Sequence, residues 1–154
     1  MAASFSAQVD EWIAQSRILM EVVFKTAAEK MRDRCIERLT QIVYAQPISP
    51  SGYKRTGFLR ASLMASTTAM PLIDRKAVPS NDGSYPYTPA PMDAVIMGAN
   101  LGDTIHFGMV AAYAAHVEFG ARGVPPKSYI RWTIEQWPAV VNEAVSEVRA
   151  RMGR

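Results

Sequence analysis

The sequence predicts an α+β fold in which a small antiparallel sheet is covered by a long N-terminal helix and a C-terminal helix. Proline and glycine are missing between Met1 and Gln46, short strand-like segments follow, and helical spacing of apolar residues returns after Ser128. With 154 residues, 49% of them hydrophobic, one domain with an ordinary core is expected. Its predicted parts are a long helix (1–46), mostly strands and an extended loop (56–110), and a short helix, loop and terminal helix (111–154).

Residues 6–45 are expected to form one helix, because strong helix formers fill the segment. Apolar residues recur there at the amphipathic period: Met20, Phe24, Ala28, Met31, Cys35, Leu39 and Ile42. Others widen the apolar surface of the first half beyond one stripe: Val9, Trp12, Ile13, Leu19 and Val23. A helix of about 40 residues would be roughly 60 Å long, more than the width of such a globule. It should bend or project, and its first half should meet more than one neighbour.

Proline and glycine predict a loop over residues 49–55, and residues 56–60 then suit a short helical turn. Small, β-branched and apolar residues favour a strand over residues 63–73. Residues 74–93 are rich in proline and contain the turn pair Asp82-Gly83. They predict a long extended loop, which is either a surface loop ordered only by a neighbour or a docking arm.

Residues 94–98 and 104–109 predict two strands of a hairpin joined by the turn at 100–103. Together with residues 63–73 they would form a three-stranded sheet, which needs a helix to cover its apolar face.

The C-terminal part predicts a helical turn that begins at Tyr113 and is ended by Gly120, because glycine can close a helix without a Cβ clash. After a loop and the pair Pro125-Pro126, residues 128–152 predict a terminal helix. Pro138 should kink or break it. Its expected apolar stripe is Ile130, Ile134, Trp137, Val141, Val145 and Val148.

The net charge of +3, from 17 basic and 14 acidic residues, is too small to indicate nucleic-acid binding by itself. A single cysteine excludes an intrachain disulfide and a zinc site built on paired cysteines. Without a secretion signal or a run of about 18 apolar residues, we expect a soluble protein made inside the cell. Nine methionines, and more arginine than lysine, are typical of adaptable protein interfaces.

No catalytic or metal-binding motif is visible, so no cofactor is expected. His106 and His116, even with Glu118, lack the three or four converging ligands of a metal site and are interpreted as structural or surface residues. Cys35 has arginines nearby but lies in the apolar stripe, which favours a core residue over a reactive thiol. Glu118 should be solvated, or should pair with a base such as Arg122 or with an arginine of another subunit.

Two phrases carry a resemblance to a known family. The first is Thr56-Gly57-Phe58-Leu59-Arg60-Ala61-Ser62, and the second is Tyr113-Ala114 followed by Val117-Glu118-Phe119-Gly120. In this order, between a long first helix and a terminal helix, they resemble the tail-completion (minor tail or neck) proteins of long-tailed bacteriophages. Members of that family commonly have threonine where this chain has Ala121, and Pro-Phe where it has Ser128-Tyr129.

The resemblance implies a virion subunit without an active site that forms a ring, expected to be sixfold, at the head-tail junction. Its partners would be the tail tube protein, a head-tail connector or stopper protein and DNA in the lumen, with no membrane. Assembly would take place in the cytoplasm of the bacterial host, and the loop 74–93 would reach an adjoining subunit or ring. The residues expected at contacts are Thr56, Gly57, Leu59, Arg60, Tyr113, Glu118, Phe119, Gly120 and Arg122.

Other functions compete with this one. A tail terminator, the ring that caps the finished tail tube, has a similar α+β composition. An enzyme is the weakest alternative, because no residue can be assigned as nucleophile, base or metal ligand. A nucleic-acid-binding module has few aromatic platforms beside its basic residues. It would use Lys54, Arg55, Arg60, Arg122 and Lys127.

Overall fold

The computed structural model describes residues 4–47 and 54–153, and these have the predicted α+β class. Most of the loop predicted over 49–55 lies outside the described residues. In chain order the elements are α1 (Phe5–Leu39), a π-helical turn (Thr40–Tyr44), α2 (Phe58–Ala61), β1 (Leu63–Ser66), α3 (Ala90–Gly98), β2 (His106–Met109), α4 (Ala114–Phe119), α5 (Tyr129–Glu135) and α6 (Trp137–Arg151).

The long N-terminal helix is confirmed, since α1 runs for 35 residues and continues into the π-helical turn. Ser4 caps its start, because the Ser4 hydroxyl accepts a hydrogen bond from the Ala7 amide at 3.3 Å. Residues 5–15 are all exposed, so this end of α1 projects from the core. The residues of α1 that are buried all lie in its second half: Thr26, Ala27, Ala28, Arg32, Cys35 and Leu39.

The sheet is smaller than predicted. Strands β1 and β2 pair antiparallel, with Leu63 opposite Met109 and Ser66 opposite His106, and the described residues contain no third strand. The predicted strand 63–73 ends at Ser66, whose hydroxyl accepts hydrogen bonds from the amides of Thr68 and Ala69. Such local bonding replaces the cross-strand ladder and turns the chain.

The predicted hairpin is wrong, because residues 94–98 belong to helix α3. Pro91 lies in the first turn of α3, where the fixed φ of proline suits a helix and its missing N–H costs nothing. A short apolar run fits a buried strand and a buried helix equally well, and here the helix packs beside β1.

The proline-rich loop covers residues 74–89, because α3 takes up the end of the predicted segment. Its backbone forms hydrogen bonds with other segments of the same chain, so it is ordered without a neighbouring molecule. The bonded amide and carbonyl pairs are Asp74 with Val110, Ala112 with Ala77, and Tyr85 with Thr56, at 2.8–2.9 Å.

The terminal helix breaks at Gln136, and Pro138 lies in the first turn of α6, as the sequence suggested. The predicted stripe is off by about one position, because the buried faces of these helices pack mainly on α1. Ala144 allows close approach to Ala27, whereas Ile134 and Trp137 are 61% and 47% exposed. The buried residues of α5 and α6 are Tyr129, Thr133, Val140, Ala144 and Val148.

The main core lies between the second half of α1, the sheet, α3 and α5. Leu39 and Tyr129, both 0% exposed, are among the largest side chains in it. Two ion pairs connect α1 with α6, Lys30 with Glu147 at 2.8 Å and Arg34 with Glu143 at 2.6 Å. Among the described residues, no helix has the length and hydropathy needed to cross a membrane.

Cys35 is a core residue, and burial raises the pKa of its thiol to about 11. We expect native protein to resist alkylation by iodoacetamide at pH 8 and to react in urea, because the thiolate is the reactive form. The folded state holds the thiol proton more tightly than the unfolded state does. The contribution of the thiol to the free energy of unfolding should therefore be complete below pH 9.0 and decrease as the pH rises towards about 11.

Mass spectrometry of alkylated protein and urea unfolding at pH 8 and at about pH 10 measure both effects. The matched control is Cys35→Ala, which should lose this part of the pH dependence. Rapid alkylation of the folded protein at pH 8 would contradict the buried placement.

Candidate functional site

An apolar groove, here called the main groove, brings the two family-like phrases together. It encloses about 560 Å³ between the C-terminal end of the first helix, the segment before α2, and α4 with its following loop. Thr56, Gly57 and Leu59 line it from the first phrase, and Tyr113 and Val117 from the second. Residues more than 50 positions apart in the sequence therefore share one surface, and a groove of this size is within the range of binding sites.

Gly57 fixes the wall formed by the first phrase. Its φ is +82°, and a Cβ there would lie 2.5 Å from the carbonyl oxygen of Tyr85. The Tyr85 amide donates to the Thr56 carbonyl at 2.8 Å, and the Tyr85 ring meets Phe58 edge-on with centroids 4.9 Å apart. This close approach attaches the proline-rich loop to the groove wall, and only glycine fits it without strain.

Arg60 joins the same phrase to the π-helical turn. Its guanidinium lies 4.5 Å from the centre of the Tyr44 ring and donates to the Thr40 hydroxyl at 3.1 Å. These contacts within the chain hold Tyr44 where that ring lines the groove. The role of Arg60 at a subunit contact stays a prediction.

Glu118 is buried, with its side chain 4% exposed, and its partner is Arg131 rather than the expected Arg122. The Arg131 guanidinium donates to the carboxylate at 3.1 Å. The amides of Ile130 and Arg131 donate to it at 2.8 and 3.2 Å. A residue distant in sequence thus satisfies the first amides of α5, and the buried charge is paired and hydrogen-bonded.

The end of the second phrase turns the chain back towards the groove. Gly120 has φ +79°, and a Cβ would lie 2.6 Å from the Val124 carbonyl oxygen. Ala121 and Val124 form an isolated bridge, and Val124, Pro125 and Lys127 consequently line the groove. Gly120 does end α4, as predicted.

Phe119 and Arg122 are exposed residues outside the lining of the main groove. Phe119 is 64% exposed, and the guanidinium of Arg131 lies 5.3 Å from its ring centre. Arg122 is exposed and has an unusual positive φ of 50°. Neither residue lines the main groove, although both remain available on the neighbouring surface.

The charges on the main groove are basic. Arg55 and Lys127 line it, and none of its described lining residues is acidic. Arg55 is partly occupied, because its guanidinium donates to the carbonyl oxygens of Tyr44, Gln46 and Pro47. Of the basic set considered for nucleic acid, Lys54, Arg60 and Arg122 lie outside the groove lining, so the set does not converge there.

Within the described residues no group of three His, Cys, Asp or Glu side chains could hold a metal ion. His106 is on β2 and His116 on α4, where it lines the groove. Cys35 lies in the core. The groove can hold an apolar segment with acidic flanks.

A second apolar surface, the α1–α6 groove, encloses about 400 Å³. It contains Met20 and Phe24 from α1 with Trp137, Val141 and Val145 from α6. The sequence identified these residues as members of two apolar stripes, but it did not predict that the two stripes lie side by side. Sequence reasoning missed Tyr44, Val124 and Arg131 entirely, since no local spacing connects them to the two phrases.

No family model, curated protein or solved structure matches the chain. Its function is therefore inferred from the residues and the geometry described above.

We expect Glu118→Ala to lower the free energy of unfolding by about 2–3 kcal/mol, because two amides and a guanidinium lose a buried charged acceptor. Arg131→Ala should cost less, since the two amide bonds remain. Arg122→Ala and the exposed-carboxylate control Glu135→Ala should stay within about 0.5 kcal/mol. Urea unfolding followed by circular dichroism measures all four, and an Arg122→Ala loss as large as that of Glu118→Ala would contradict this pairing.

Three glycines provide a matched series for the groove wall. Gly57→Ala should cost more than about 2 kcal/mol, because the left-handed backbone and the approach to Tyr85 both oppose a Cβ. Gly102→Ala has φ +102° with open space around it and should show only the backbone cost of about 1–2 kcal/mol. Gly98→Ala, also in open space, should be neutral or stabilising. Thermal unfolding ranks the stability losses of the three variants. Equal losses for Gly57→Ala and Gly102→Ala would exclude a contribution from the clash between a Cβ at position 57 and Tyr85.

Proposed function

We propose that this chain is a structural subunit of a tailed-phage or phage-like particle, and that it forms a ring at the head-tail junction. The observation that carries the proposal is the meeting of the two family-like phrases in one groove. Thr56, Gly57 and Leu59 from the first phrase face Tyr113 from the second across a shared apolar surface. A resemblance confined to two short phrases gains weight when both serve the same site.

The exposed apolar surface supports a role in assembly. Phe5 and Trp12 are 82% and 68% exposed on one helix, and the α1–α6 groove adds a second apolar area. Exposed apolar patches of this kind mark interaction surfaces. Aromatic residues and arginine are also the types enriched in interfaces. The proposed role is structural, and its partners would be copies of this chain, the tail tube protein and a connector or stopper protein.

The tail terminator remains the second candidate, because the same α+β subunit could cap a tube. Deletion of the gene in the particle that encodes it distinguishes the two. For a completion protein we expect tails of normal length that fail to join heads, whereas loss of a terminator gives tubes of uncontrolled length. Electron microscopy of the lysate measures tail length and attachment, with plasmid complementation as the control. Normal, infectious particles after deletion would exclude both roles.

Nucleic-acid binding is the alternative of another class. It rests on Arg55 and Lys127, which lie on the same groove. It would give affinity for DNA that falls steeply with salt. The contacts of Arg55 and Arg60 within their own chain favour the structural role.

A further inference from the structure

The first segment of α1 has no cover from the part of the chain that the structure describes. Residues 5–15, here called the N-terminal arm, are all exposed. Phe5, Val9 and Trp12 are spaced i, i+4 and i+7 and therefore lie on one face. This spacing is typical of a helix that inserts its apolar face into a groove of a partner, and aromatic anchors contribute most in such interfaces.

The charges of the arm are opposite to those of the main groove. Its charged residues are Asp10 and Glu11, both acidic. The charged residues that line the groove are Arg55 and Lys127, both basic, around an apolar floor. Complementary charge of this kind orients a partner and favours one docking direction.

The arm cannot reach the groove of its own chain. Both lie on one continuous helical rod, because α1 runs directly into the π-helical turn whose Val43 and Tyr44 line the groove. From Phe5 to Val43 the rod spans about 57 Å at 1.5 Å per residue. Contact between an arm and a groove must therefore join two molecules.

We propose that the N-terminal arm of one copy docks in the main groove of a second copy, head to tail. Phe5, Val9 and Trp12 enter the apolar floor, and the carboxylates of the arm approach the basic rim. The arm and the groove are different surfaces, so the interface is heterologous and each copy can bind one copy ahead and one behind. The inference rests on the proposed function for its place in a ring, but the contact itself is a property of the purified chain.

The test uses variants that each remove one side of the interface. Trp12→Glu disables the arm, and the double change Val124→Asp with Lys127→Glu disables the groove at a loop residue that is 59% exposed. Ile18→Glu is the matched control, because Ile18 is as exposed as Trp12 but lies about 120° round the same helix. Phe5→Glu repeats the arm test, and circular dichroism verifies folding of every variant.

Native mass spectrometry and sedimentation velocity measure assembly. We expect closed or open oligomers for the wild type and for Ile18→Glu. Each disabled variant alone should be monomeric, with the dissociation constant raised at least about tenfold. A one-to-one mixture of arm-disabled and groove-disabled protein should give dimers that grow no further, because it retains one intact arm and one intact groove.

Several outcomes would overturn the proposal. These are a wild type that stays monomeric at every soluble concentration, assembly of Trp12→Glu like the wild type, assembly of the groove variant alone, and a mixture that stays monomeric. Failure here is distinguishable from failure of the proposed function. If gene deletion leaves heads and tails unjoined but the purified chain shows no arm contact, the neck role is supported and the arm contact is excluded. If the purified chain forms head-to-tail oligomers but particles are normal after deletion, the arm contact is supported and the neck role is excluded.

Discussion

The buried carboxylate of Glu118 is the constraint on which the candidate site depends. It accepts hydrogen bonds from the first amides of α5 and from the guanidinium of Arg131. These bonds fix the end of α4 relative to the start of the C-terminal helices. The chain between them must then form a closed loop, which the amide of Lys127 fastens to the Val117 carbonyl at 2.9 Å. Without the carboxylate, the loop that completes the groove would keep this backbone hydrogen bond but lose the charged contact that joins α4 to the start of α5. An acidic residue inside an apolar segment is therefore structural here, because it organises backbone that has no regular hydrogen bonds of its own.

The opposite wall is held by a different kind of contact. Gly57 brings the backbone against Tyr85, and Arg60 lies over the Tyr44 ring. One wall is thus fixed by steric fit and a cation-π contact, and the other by a buried charge. Both leave the apolar side chains of the groove without a cover among the described residues. A surface that is held rigidly and yet remains apolar costs little to order on binding, which favours association with a preformed partner such as a helix.

The sequence was sufficient for the features that depend on local rules. The length of α1, the stop at Gly120 and the break at Pro138 follow from helix propensity, the freedom of glycine and the geometry of proline. It was insufficient where tertiary contacts decide. Residues 94–98 fit a strand or a helix, and only packing beside β1 selects the helix. Arg131 reaches Glu118 because the loop between them folds back, and no periodicity in the sequence encodes the path of that loop. Arg122 was the expected partner because it is nearer in sequence, and that prediction was wrong. The two phrases were recognisable one by one, but their meeting in a groove required the fold.

The stiffness of the joint between rod and groove decides what a head-to-tail contact can build. Each added copy repeats the angle between its arm and its groove, so a small variation in that angle accumulates around an assembly and separates a closed ring from a helical filament. The π-helical turn lies at this joint, and π-helical segments are often found at functional positions. Here the Thr40 hydroxyl donates to the Ile36 carbonyl at 2.7 Å while Arg60 binds Thr40 and covers Tyr44. The phrase that forms the groove wall therefore also fixes the direction in which the arm leaves, and this coupling is what a subunit of a closed ring would need.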